Sequence, residues 1–259
     1  MDAREFRSLF ANVAAHCDLP PMPAVAARAL ALIRDPETEA DDLARLVATD
    51  ATIAVRVLRI SRSALYLRRQ PPRTLREAIV TVGYGALRKI LIVASARAAY
   101  RQDDEVARGL WAHALATALA SDELAVAAGE PRGGESFVAG LLHDVGRLVF
   151  HVSDPARYAA MTAWDETAEV RQFSVTHAAV GACLAEQWGL EDDVVDALMF
   201  HHAEHPTGLA ARVQTADRIA HEIGFGSGAT APPPLEDPGV LAVAGRVAST
   251  LSAERGLFE

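Results

Sequence analysis

Apolar side chains recur along this chain at spacings of three and four, and no stretch alternates convincingly at two. Val25, Ala29, Leu32 and Ile33 form one helical stripe after the stiff segment Leu19-Pro20-Pro21-Met22-Pro23, and Asp35-Pro36 closes it. Thr38 and Asp41 have the spacing of a capping box ahead of Leu43, Leu46 and Val47, and Ile53, Val57, Ile60 and Ala64 mark the next helix. Gln70-Pro71-Pro72 interrupts the pattern, Thr74 and Glu77 restart it before Ile79 and Val80, and Gly83 with Gly85 predict a tight turn. No proline occurs between Arg73 and Glu130, which allows long helices over 86–101 and 106–128.

Glu130-Pro131-Arg132-Gly133-Gly134 predicts a loop, after which Ser136 opens a helix that buries Phe137, Leu141 and Leu142 and stops at Gly146. Further helices are expected over 155–163, 176–188, 191–202 and 208–223. Gly224 to Pro238, with three consecutive prolines, reads as a surface loop before a last helix near 239–254. The expected architecture is all-α: two helical lobes, one over 1–105 and one over 106–259.

At 259 residues and 51% hydrophobic, the chain has enough apolar surface for either lobe to bury a core. It has no charge-free apolar run of about 18 residues and no basic-then-apolar leader, so it reads as cytoplasmic with no membrane partner. Cys17 and Cys183 are too isolated for a disulfide framework and read as buried thiols. A net charge of -9 makes nucleic acid an unlikely partner, because unspecific binding runs on phosphate neutralisation. The charge is polarised, however. Residues 51–102 hold eleven basic side chains against one acid, Glu77, a balance of +10 that leaves -19 elsewhere. Arg56, Arg59, Arg62, Arg68, Arg69, Arg73 and Arg76 follow one another without an intervening acid. They offer an anion-binding surface, or else pair with the acids of the other lobe or with water.

Eight of the nine histidines fall between His113 and His221. Asp217 shares a helical stripe with Ala210, Val213 and Ala220, so its carboxylate points inward and needs a cation. His113 sits among alanines and leucines, and His143-Asp144 ends an apolar helix. Convergence of these groups would suit a divalent transition metal, since neutral imidazoles and carboxylates are its ligands. His177, His201 and His202 would supply a second ion or hold an anionic ligand. Paired ions of this kind polarise a phosphoryl oxygen and activate water. Arg147, four residues after His143, is placed on the same helical face to hold a phosphate oxygen. His16, His151, His205 and His221 read as ordinary surface or hydrogen-bonded residues.

Taken together these residues resemble the HDOD family, a regulatory branch of the HD superfamily, from about Leu19 to His221. The first lobe contributes Leu19 to Pro23, Asp35-Pro36, Asp50, Ser63-Ala64 and Val82-Gly83, with Arg62 where the family usually has asparagine. The second contributes Trp111-Ala112-His113, Gly140 to Arg147, Glu169, His177 to Gly181, Trp188, His201-His202 and Asp217. The resemblance implies two helical lobes, the second HD-like, with His113, His143, Asp144 and Asp217 in the superfamily's metal-ligand positions. It places Glu169, His177, His201 and His202 with the additional ligands of two-metal relatives, Glu169 either as a ligand or behind one. The glycine-tyrosine-proline signature of the cyclic-di-GMP phosphodiesterases is absent: the chain continues Ala203-Glu204-His205-Pro206 after its His-His pair. The resemblance therefore implies a signal-transduction module acting on a protein partner, with a small anionic or nucleotide ligand and no catalysis. The alternative is a metal-dependent phosphohydrolase acting on a nucleotide or cyclic nucleotide.

Overall fold

The computed structural model describes residues 3–62, 70–99, 104–130, 134–161, 165–227 and 233–258. Among them there are fourteen helices and no strand. The chain divides into two compact units, one of residues 22–99 and 254–259, the other of residues 1–21 and 100–253.

The first unit holds α2 (Ala24–Arg34), α3 (Ala40–Val47), α4 (Ala51–Ser61) and α5 (Leu75–Ala99). The buried stripe of α2 is Ala26, Ala29 and Leu30, with Leu32 and Ile33 half-buried, so it is rotated from the expected one. The capping box of α3 also slips by one residue. Glu39 and Asp42 form it, because Glu39 N–H donates to Asp42 Oδ2 at 3.3 Å and the Glu39 carboxylate accepts from Asp42 N–H. Asp50 caps α4 through Thr52 N–H and Ile53 N–H, and Thr74 Oγ1 accepts from Glu77 N–H at 3.1 Å at the head of α5.

Gly83, at φ 79°, breaks α5, and helix resumes directly after it, through Gly85. By length and composition Leu75–Ala96 would be able to cross a bilayer. Its apolar residues Ile79, Leu87, Leu91 and Ile92 are instead the fully buried core of this unit. Of the arginine series, Arg62 Nε donates to Pro72 O and Arg76 pairs with Asp41 at 3.0 Å. Ser63, Ala64, Arg68 and Arg69 lie outside the described residues.

The second unit holds α1 (Ala3–His16), α6 (Glu105–Ala127), α7 (Glu135–Leu142), α8 (Val145–Ser153), α9 (Pro155–Ala159), α10 (Glu166–Phe173), α11 (His177–Gln187), α12 (Asp192–Phe200), α13 (Gly208–Glu222) and α14 (Pro238–Phe258). Residues 1–21 were expected in the first lobe, but α1 packs on α11, Val13 is fully buried, and Trp188 Nε1 donates to Pro20 O at 3.1 Å. The central packing is α7 and α13 against α6, and α12 and α8 against α11. Val243, Ala244 and Val247 of α14 join Ala120 of α6 and Ala216 and Ile219 of α13 in a further apolar cluster. Helices α1 and α10 were not expected. The second is short and polar, and starts because Asp165 accepts from Ala168 N–H at 2.8 Å.

One local difference governs the site. The helix ahead of His143 does not run on to Gly146. It stops at Leu142, and α8 starts at Val145, so Gly146 belongs to the first turn of a new helix. The break also separates Arg147 from the face of His143.

Candidate metal centre

His143 and Asp144 form the two-residue corner between α7 and α8. His143 Nδ1 donates to Gly140 O at 2.9 Å, which turns Nε2 toward the interior. Asp144 occupies the N-cap position of α8, where a carboxylate normally accepts a backbone N–H, yet it makes no such bond. Its carboxylate faces inward and is 4% exposed. Oδ1 is buried and has no partner in hydrogen-bonding geometry.

Two groups of donors face this carboxylate from opposite sides. The first is His113 from the middle of α6, His143, and Asp217 from α13. His113 Nε2 lies 3.1 Å from His143 Nε2, 3.2 Å from Asp217 Oδ1 and 3.5 Å from Asp144 Oδ2. The second is His177 at the start of α11, with His201 and His202 after α12, around Asp144 Oδ1. His177 Nε2 lies 3.1 Å from Asp144 Oδ1, 3.3 Å from His201 Nε2 and 3.1 Å from His202 Nε2. Gln214 of α13 fixes the corner carrying these last two histidines by donating to His201 O and Ala203 O.

The remote ring nitrogens explain why this arrangement calls for a cation. His113 Nδ1 faces Phe225 O at 2.6 Å, His143 Nδ1 faces Gly140 O and His201 Nδ1 faces Leu198 O at 2.8 Å. A carbonyl oxygen only accepts, so each of these rings carries its proton on Nδ1 and presents a lone pair at Nε2. Lone pairs and carboxylate oxygens at 3.1–3.5 Å repel unless something positive lies among them. Two donors bound tetrahedrally at about 2.1 Å stand roughly 3.4 Å apart, so the spacing suits ligands sharing one ion. The residues present thus fit a divalent transition metal in either group, with Asp144 in the second and its other oxygen 3.5 Å from His113 of the first.

A proton fills the same need less well. Burial and Arg147 act to lower the His177 pKa, but Asp144 and Glu169 prevail and raise it to about 9. His113 is also raised: burial opposes it, and Asp217 and Asp144 overcome that. One protonated ring suppresses its neighbours. Burial and the adjacent rings hold His201 well below its ordinary value and lower His202 to about 4. Asp144 is held well below the carboxylate range, since Arg147, His143 and His177 outweigh the cost of burying its charge. His113 and His143 do the same for Asp217 against its burial.

The two supporting residues are placed differently. Glu169 stands behind His177, accepting from its backbone N–H at 2.8 Å and from Nδ1 at 2.7 Å, so both its oxygens face away from Asp144. Arg147 is 2% exposed. Its NH1 donates to Ser227 Oγ at 2.8 Å and lies 3.3 Å from Asp144 Oδ2, and Nε lies 3.4 Å from Glu169 Oε1. The guanidinium expected to hold a phosphate oxygen thus donates to Ser227 and faces two carboxylates, while its buried Nε makes no hydrogen bond.

Among the histidines read as ordinary, His16 bonds its own helix at Asn12 O and His151 pairs with Asp104 at 2.8 Å. His205 lines an outer cavity of about 470 Å³ with Asp193, Asp196 and Phe200, and none of the converging residues lines it. His221 departs from that reading, because its ring packs edge-on against His113 and its Nε2 lies 3.6 Å from Asp217 Oδ1. It is four residues from Asp217 on the same helix, and that spacing was the available signal.

With this geometry in hand, the HDOD domain family matches residues 19–204, and the chain belongs to that family. A solved HDOD domain protein of unknown function from Geobacter sulfurreducens shares the fold with a TM-score of 0.70 at 22% identity, covering 99% of this chain and 97% of the other. A structure from Shewanella amazonensis SB2B with a provisional phosphohydrolase designation aligns with a TM-score of 0.73 at 22% identity, over 97% and 96% of the two chains. An uncharacterized protein of Treponema pallidum (strain Nichols) is 26% identical over 193 residues, which is 71% of this chain and 38% of the relative. The chain thus spans well under half of that relative.

Proposed function

We propose that this HDOD protein is a cytoplasmic signal-transduction module that works through contacts with a protein partner. In this reading the donors around Asp144 bind one or two divalent transition metal ions, and the loaded centre serves as a ligand-sensing or structural core. The observation that carries it is the pairing of a bridging carboxylate with a locked arginine. Asp144 offers one oxygen to each donor group, whereas the buried Arg147 beside it already donates to Ser227 and lies against Asp144 and Glu169. Such a centre is furnished to hold cations and poorly furnished to clamp a phosphoryl group. Metal analysis of the purified protein, followed by hydrolysis assays on phosphodiesters and nucleotides, tests it. Stoichiometric metal without turnover is expected, and metal-dependent turnover lost in Asp144→Ala would overturn it.

The second reading, a metal-dependent phosphohydrolase acting on a nucleotide or cyclic nucleotide, is favoured by the same bridging geometry. Bound ions would supply Lewis acidity and an activated water. Asp144 would hold them together, Glu169 would orient His177, and Arg147 would have to release Ser227 to meet a small anionic substrate.

Metal uptake should release protons, because against its burial Asp144 and Glu169 raise the His177 pKa to about 9 and the ring is therefore protonated in the metal-free protein at neutral pH. Calorimetric titration with Zn²⁺ or Mn²⁺ is expected to show affinity climbing as pH rises toward 9 and levelling above it. The stability of the metal-free protein should move the other way. The raised His177 pKa contributes stability fully below about 6.5 and loses it as pH passes about 9. The lowered Asp144 and Asp217 contribute above their ordinary range and lose it on acidification. The Tm of metal-free protein should therefore fall between pH 7 and 10, and saturating metal should abolish that fall. A Tm independent of pH over this range would contradict the shift.

A further inference from the structure

We propose that Phe225–Ser227 is a strap that positions the centre from its C-terminal side, so that this segment sets the affinity of the centre for a divalent cation. The proposal rests on the metal-binding reading above and adds positioning residues to it. All of them lie beyond residue 204, outside the stretch that matches the family.

The strap grips the centre at three points. Phe225 O receives His113 Nδ1 at 2.6 Å, which fixes the tautomer that presents Nε2 to Asp217 and Asp144. Ser227 Oγ accepts from Arg147 NH1 at 2.8 Å, and the same nitrogen lies 3.3 Å from Asp144 Oδ2. Between them Gly226 passes so close to His221 that a Cβ there would stand 3.0 Å from its Nδ1, and His221 Nε2 is 3.6 Å from Asp217 Oδ1. One short segment therefore touches partners of His113, Asp144 and Asp217 together.

The N-terminal end of the strap is tied to a helix that carries a ligand candidate. Phe225 N–H donates to Ala220 O at 2.8 Å and Gly224 N–H to His221 O at 3.1 Å, which extends the C-terminus of α13 into the strap. Further on, Leu235 and α14 pack on Ala120 of α6 and on Ala216 and Ile219 of α13. Helix α6 brings His113 and α13 brings Asp217. Partners that orient a metal ligand from behind govern its affinity, and linkage makes the effect reciprocal: cation binding must tighten the strap as the strap tightens binding.

The test is titration of the full chain with Co²⁺, read by its visible absorption band and by affinity, together with amide hydrogen exchange at residues 224–227. Ser227→Ala should weaken Co²⁺ binding on the order of 10-fold and alter the band, with Ser227→Thr restoring most of both. Gly226→Ala, which crowds His221 and leaves the Ser227 hydroxyl in place, should weaken binding independently. Amides of the strap should exchange more slowly in loaded than in metal-free wild type. If wild type binds Co²⁺ while Ser227→Ala and Gly226→Ala match it in affinity and spectrum, or if loading leaves strap exchange unchanged, the strap has no such role. If wild type takes up no Co²⁺, the metal-binding reading fails and takes the strap with it.

Discussion

Asp144→Ala is expected to empty both donor groups at once and to destabilise the protein in the same step. Its two oxygens reach both groups: Oδ2 lies 3.5 Å from His113 Nε2 and Oδ1 lies 3.1 Å from His177 Nε2. Its removal should lower affinity for a divalent ion on the order of 100-fold or more, beyond the loss from an outer partner of a ligand. The structural cost arises because Arg147, 2% exposed, loses the carboxylate 3.3 Å from its NH1, and a buried charge deprived of a partner costs about 3 kcal/mol. Asp144→Asn separates the two effects. The amide fills the same space and lets Arg147 keep a carbonyl acceptor, so metal should be lost with a smaller drop in stability. Elemental analysis and denaturant unfolding of the two variants read both quantities. Full metal occupancy in Asp144→Ala would show that the ions, if bound, sit elsewhere.

What the sequence makes legible here is periodicity and the order of polar exceptions to it. Helical spacing and the lack of alternation are enough for an all-α chain, because the buried stripes of α3, α4 and α13 repeat at three or four. His113 and Asp217 stand out because each interrupts an apolar face, and the structure brings both together with His143. Positions that depend on one residue of register are not legible in this way. The box at the head of α3 uses Glu39 and Asp42 in place of Thr38 and Asp41, a slip of one residue that the spacing alone cannot exclude. One helix continued through His143-Asp144 would put Arg147 on the face of His143, whereas the corner there brings it beside Asp144 and Glu169. His221 is an ordinary helical histidine by pattern, and only its edge-on contact with His113 of α6 sets it apart. Long-range contacts such as those of Phe225 and Ser227, 112 and 80 residues from their partners, leave no local trace at all.

Gly146 is the sharpest case, and it yields the other large expected effect. Read as a helix terminator, it would tolerate alanine at modest cost; placed in the first turn of α8, it does not. A Cβ at Gly146 would stand 2.1 Å from His177 O and 2.7 Å from its carbonyl carbon and Cα. These are backbone atoms at the head of α11, held by Thr176 Oγ1 to Ala179 N–H and by Glu169 to His177 N–H, so they cannot swing aside. Helix α8 would have to retreat, and it carries Arg147 and is entered through Asp144. Gly146→Ala should therefore destabilise the fold by about 3 kcal/mol, the upper end for an added carbon in a packed core, and should weaken metal binding as Asp144 moves from His177. Gly181→Ala is the matching control in the neighbouring helix. There a Cβ would meet Leu198 Cδ2 and Val145 Cγ1 at 3.5 Å, ordinary contact, and alanine gains up to about 1 kcal/mol of helix propensity. Thermal unfolding of the pair should move Tm in opposite directions, down for Gly146→Ala and unchanged or up for Gly181→Ala. Equal tolerance at both positions would mean that α8 does not approach α11 as closely as the Asp144–His177 contact requires.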